Sequence, residues 1–122
     1  MKNAITFKVG RTIYSLVIAF FGINHFIDTG MQHTVPSFLP GHIFWLYLSG
    51  AALILAAIAF LTGKQRALAG YLLALFLLII VFTIHVPALI NAPDEAARRF
   101  PLSNLVKDIG IAAGALMIAG KG

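Results

Sequence analysis

Apolar runs that break off at small clusters of polar residues set the pattern of this chain. The first begins beyond Lys8 and closes on Asn24, His25 and Asp28, which fall within about one helical turn of each other. The runs over 9–27, 42–61 and 67–86 are each about 20 residues long, the length an α-helix needs to cross ~30 Å of hydrocarbon. A fourth run, 105–119, is shorter and is expected to stop shallow or to thin the bilayer locally. Nothing is left over for a separate soluble unit. The pattern therefore predicts one all-α domain over 1–122, a transmembrane four-helix bundle with up-down-up-down topology.

The connections carry their own signals. Between the first two runs, VPSFLPG is stiffened by Pro36 and Pro40. Between the second and third, Gly63 marks a tight turn over 62–66. The segment 87–104 contains NAPDEAARRF, where Pro93 suits a first helical position, Asp94 and Glu95 a first turn, and Arg98 and Arg99 a last turn. A short interfacial helix between spans three and four is expected there, ended by Pro101, with Ser103 or Asn104 capping the fourth span.

Composition turns the pattern into a membrane protein. Hydrophobic residues make up 60% and charged residues 11% of the chain, against roughly 45–50% and about 25% in soluble domains. Mean hydropathy is +0.93, and a soluble fold of this size could not bury that much apolar surface. The formal net charge of +5 does not point to nucleic acid, because the basic residues stand singly at the ends of apolar runs. They read instead as orientation signals. With the N-terminus inside, Lys2, Lys8, Arg11, Lys64, Arg66 and Lys121 are cytoplasmic and Arg98, Arg99 and Lys107 lie outside, so both termini are expected in the cytoplasm. FGINHFIDTG offers no small-x-small cleavage site, so the first span is expected to be retained. The absence of cysteine excludes disulfides, thiol redox chemistry and cysteine-ligated metal within the chain.

Small residues mark expected packing faces: Ser49, Ala52, Ala56, Ala59 and Gly63 on span two, Ala67, Gly70 and Ala74 on span three, and Gly110-x-x-x-Gly114 on span four. They serve contacts within the bundle or, for Gly110 and Gly114, a homo-oligomeric contact. Trp45 and Tyr47 belong at the headgroup level.

Candidate chemistry gathers at one end. At about 100° per residue, Arg11, Ser15, Gly22 and His25 share an arc of roughly 80° on span one. His85 falls in line with Ala67 on span three, and Asp108 shares a face with Ala112, Ala115 and Ala119 on span four. Spans one and three run parallel, which brings His25 and His85 to one depth. The candidate ligand-binding set is therefore His25, His85, Asp108, Asn24 and Tyr47 around a polar mouth at the outer end. Ionisable groups inside a span face inward and find a partner. Three readings stay open: interhelical hydrogen bonds that fix the bundle, a pocket for a lipid or quinone head group, or a histidine-ligated metal or b-type haem. No HExxH or closely spaced histidine motif supports a metal. His33 and His42 read as solvated loop histidines, and Asp108 also reads as an acid at a helix start.

The sequence resembles the DoxX family of membrane proteins along nearly its whole length. The matching elements, in order, are FFGINHF, VPSFLPG before WLYLSGAALILAA, Gly63 and Arg66 before an alanine-rich span, HVP at His85–Pro87, and LVKDIGIAAGALM. The resemblance implies four helices in a bacterial inner membrane. It also implies association with redox systems, some relatives being subunits of thiosulfate:quinone oxidoreductase and others partners of thiol or superoxide detoxification. One departure matters. Relatives often carry a glutamate shortly after the glycine of span two, whereas Gly50 is followed by Ala51 and Ala52. An acid-dependent redox mechanism therefore does not transfer directly. The leading expectation is an accessory or scaffold subunit of a membrane redox system with a polar pocket at its outer, periplasmic end for a quinone or lipid head group, quinone being the cofactor considered, and with the lipid bilayer and a redox-enzyme subunit as partners. The alternatives are a quinone-linked oxidoreductase subunit using His25 and His85 for protons, a task suited to histidine as a residue type, and a small-molecule transporter. The transporter has least support, because the inner halves of the spans hold almost no polar residue.

Overall fold

Helices α1 (Lys2–Ile27), α2 (His42–Thr62), α3 (Arg66–Ile90) and α4 (Glu95–Gly120) carry the chain back and forth, each packed against the next. The computed structural model describes residues 2–28 and 40–121, apart from the side chains of Lys2 and His42. The expectations for Pro36, for His33 and for the His42 side chain fall outside those residues. No strand occurs among the described residues, and the protein is an all-α four-helix bundle.

Each helix stays continuous through apolar surroundings because its polar side chains find partners locally. The hydroxyls of Thr12, Ser15, Ser49, Thr62 and Thr83 donate to the carbonyl four residues earlier, at 2.7–2.8 Å. Ser15 is thereby fully buried without an interhelical partner. The α2–α3 turn is made by Gly63, whose φ of 79° caps α2 while its N–H donates to Ala59 O.

In lipid, apolar side chains gain little by leaving the solvent, so close backbone approach drives helix association. Gly22 and Gly50 meet face to face: a Cβ on Gly50 would stand 2.8 Å from Gly22 O, and one on Gly22 would stand 2.9 Å from Gly50 O. Gly70 does the same for α3 and α4, with Ala115 O only 2.6 Å from a Cβ placed there. The bundle closes through Tyr14, whose hydroxyl donates to Ile111 O on α4. Its ring lies tilted on Phe60, with centroids 5.9 Å apart, and covers Gly114. Gly110 has nothing within 4 Å of an added Cβ. The small-residue stripe of α2 is only partly the inward face. The buried positions there are Leu46, Gly50, Leu53, Ala56, Ala57 and Phe60, so large side chains fill most of that seam. Ala67 is exposed, whereas Gly70 and Ala74 are buried as expected.

Pro101 does not end an interfacial helix. Asp94 caps α4, its carboxylate accepting from Ala97 N at 2.7 Å, and the helix then runs unbroken through Pro101 to Gly120. Asp94 is therefore the cap rather than a first-turn residue, and Ser103 and Asn104 lie inside the helix. The reason is local: residues 93–100 are exposed, so the carbonyl that Pro101 leaves without a donor can turn to solvent or headgroups. Only 11–33% of each membrane-length window is buried, and large apolar side chains such as Leu16, Leu55, Leu72 and Met117 face outward. Such a surface needs lipid, and the protein is a multi-pass membrane protein.

Candidate functional site

The polar end takes its shape from a wide turn in α3. The segment Val81–His85 is π-helical, with Val86 N–H reaching back to Val81 O. Pro87 follows directly. A proline ring collides with the carbonyl four residues earlier and offers no N–H of its own, and widening the preceding turn relieves both problems without breaking the helix. α3 then continues to Ile90, four residues past the end expected at 86.

At the end of that turn, His85 Nε2 lies 2.8 Å from Asp108 Oδ2 on α4. The two side chains are 13% and 11% exposed. A carboxylate only accepts, so with Asp108 ionised the imidazole donates from Nε2 and leaves Nδ1 for another partner. Asp108 sits roughly three and a half turns beyond the start of α4 at Glu95, too deep for the helix macrodipole to account for it. Reading it as a helix-start acid is therefore wrong. Its face with Ala112, Ala115 and Ala119 is buried, as the spacing predicts.

His25 is placed differently. Its Nδ1 is 2.6 Å from Phe21 O, one turn back on its own helix. A carbonyl cannot donate, so Nδ1 carries the hydrogen and Nε2 of the neutral ring remains an acceptor. The residue rests on α2, its Cβ 2.9 Å from where a Cβ on Gly50 would stand. No hydrogen bond joins His25 and His85: one belongs to the α1–α2 seam, the other to the α3–α4 seam. Asn24 is half-buried beside His25, and the Tyr47 ring stacks on Phe26 at 5.2 Å and 16°.

α4 links the two seams through consecutive residues, which the spacing of the histidines does not reveal. Asp108 reaches His85, while Lys107 Nζ lies 4.8 Å from the centroid of Phe21, the residue whose carbonyl holds His25. Lys107 also donates to Asn104 Oδ1 at 3.5 Å. The signal for this was present in the adjacency of Lys107 and Asp108, since neighbours on a helix point about 100° apart and can serve different seams. Among the described residues, no three His, Asp or Glu side chains converge as metal ligands would.

Fold and site together define a small multi-pass helical membrane protein with a largely buried histidine–aspartate pair at one end. Residues 14–119 match the family described as Domain of unknown function (DUF8561), and the chain belongs to that family. No curated protein and no solved structure matches it.

Proposed function

We propose that this protein is an accessory subunit of a membrane redox system, and that His85 and Asp108 receive the polar head of a quinone from the bilayer. The observation that carries this reading is the 2.8 Å pair held between two lipid-facing helices at a π-helical turn. Ionisable residues at membrane depth are costly to keep and mark functional sites, and π turns cluster at such sites. The geometry supplies suitable chemistry. An imidazolium held by Asp108 through Nε2 offers Nδ1–H to a quinone carbonyl, and the neutral ring accepts at the same nitrogen from a quinol hydroxyl. The redox setting, the bacterial inner membrane and the placement of this end outside rest on the resemblance to the DoxX family and on the lysine and arginine distribution.

The test is solvent extraction of the protein purified in mild detergent, with mass spectrometry of co-purified quinone. Wild type is expected to retain quinone, and H85Q or D108N to lose about nine-tenths of it while keeping the helical circular-dichroism signal. Wild type that carries no quinone, and whose melting temperature no added quinone changes, sinks the proposal. The rival is a purely structural pair. It draws on the fact that each imidazole already has a partner within the protein. That reading predicts equal quinone content in wild type and both variants.

A further inference from the structure

The opposite end of the bundle holds a cleft of about 480 Å³ whose lining includes Asn3, Phe7, Lys8, Arg11, Arg66 and Lys121. These residues come from the first turns of α1, the start of α3 and the C-terminal end of α4, so the cleft exists only in the folded bundle. Three cations gather on one ring: the guanidinium carbons of Arg11 and Arg66 lie 5.6 and 5.5 Å from the Phe7 centroid, and Lys121 Nζ lies 5.5 Å from it. Among the described residues no acidic side chain lines the cleft. None is near in the topology either, because the chain's four acidic residues, Asp28, Asp94, Glu95 and Asp108, all belong to the histidine end.

Orientation in the membrane accounts for basic residues at a boundary, but not for their convergence. Like charges this close repel, and one aromatic ring offsets only part of that repulsion. The hydrogen-bond inventory points the same way. Arg11 Nε is buried and has no hydrogen-bond partner among the described residues. Arg66 uses one nitrogen to donate to Lys121 O at 3.4 Å, which braces α3 against the end of α4 and leaves the rest of its fork available. An unsatisfied guanidinium donor beside two further cations suits an anion with several acceptor oxygens.

We propose that this cleft binds a phosphate group through Arg11, Arg66 and Lys121, the three cations gathered around Phe7. Phosphate matches the donor set in charge and in geometry, since guanidinium groups pair with it in two-pronged fashion. Two sources can supply it: the head group of an anionic phospholipid in the surrounding leaflet, or a free phosphate ion. The site is separate from the His85–Asp108 pair and does not depend on its function.

The test uses the full chain in a non-ionic detergent at fixed ionic strength. Its melting temperature and its lipid adducts in native mass spectrometry are followed as phosphatidylglycerol, phosphatidylcholine or inorganic phosphate is added. Phosphatidylglycerol is expected to raise the melting temperature and to remain bound, with phosphatidylcholine far weaker. R66Q and K121Q should each weaken the effect on the order of tenfold, the loss of one charge-assisted contact. K121Q removes a charge from an exposed helix end, so its folding is safe. A response to inorganic phosphate that shows the same loss in both variants assigns the site to the free ion. No response to phosphatidylglycerol or phosphate, or a response that both variants leave unchanged, overturns the proposal.

Discussion

At one end of this bundle His85 and Asp108 stand 2.8 Å apart and Phe21 O holds His25; at the other, Arg11, Arg66 and Lys121 crowd one phenyl ring with no acidic side chain beside them among the described residues. The first end gives His85, Asp108 and His25 partners from within the chain, on helices that pack tightly. The second leaves a buried guanidinium nitrogen without a partner among the described residues and an open cleft beside it. The difference teaches where to look for dependence on outside molecules. Removing a charge from a satisfied pair strands its partner, whereas removing one from a like-charged cluster relieves repulsion and shows its effect only when a ligand is present.

The largest effect expected is all-or-none and concerns which end faces which compartment. The chain has no cysteine, so single cysteines at Gln65 and Asn91 report the two ends without background. An impermeant thiol reagent on intact cells should label N91C and spare Q65C. The reverse result would turn the comparison over, putting the cationic cleft outside and the histidine pair inside. Next in size is D108A, which leaves the His85 imidazole without its partner and should destabilise the protein by about 1–3 kcal/mol. In the H85A/D108A double variant part of that loss should be recovered, as a double-mutant cycle by reversible denaturation would show. If the two effects simply add, the pair is not an energetic unit and the contrast between the ends weakens. Smallest is R66Q. Without added lipid or phosphate its stability should stay within about 0.5 kcal/mol of wild type, because the lost contact to Lys121 O is offset by relief among three cations. A loss as large as that of D108A would mean that Arg66 is satisfied internally after all.

Much of the architecture was legible because helical phase is a local property. Apolar runs located the spans, and the arcs Arg11–Ser15–Gly22–His25 and Asp108–Ala112–Ala115–Ala119 identified faces that are indeed largely inward. The failures have separate causes. Pro101 reads as a stop signal, but its cost depends on whether the orphaned carbonyl meets solvent, which sequence does not state. Small residues suggest one inward face for α2, yet one glycine, Gly50, suffices for close approach while Leu46, Leu53 and Phe60 fill the rest. The parallel course of spans one and three implied one depth for His25 and His85 but could not say that they serve different seams. The convergence on Phe7 was invisible, because residues 7, 11, 66 and 121 form no motif and meet only when the turn after α2 and the end of α4 are brought beside α1.

The π turn at Val81–His85 has a mechanical consequence. It makes α3 two rods joined by a swivel, with one residue more than a regular helix would use between them. The rod from Arg66 is locked against α4 at Gly70, while the rod from Val86 takes its angular setting from the wide turn. Deleting a single residue from that turn would leave the length of the span nearly unchanged, because a wide turn absorbs its extra residue sideways rather than along the axis. The same deletion would restore uninterrupted α-helix with both rods in their present register, but it would also bring the Pro87 ring back against the carbonyl four residues earlier. The extra residue thus leaves the span's length and the register of its two rods almost untouched, and what it supplies is room for Pro87 inside one continuous helix.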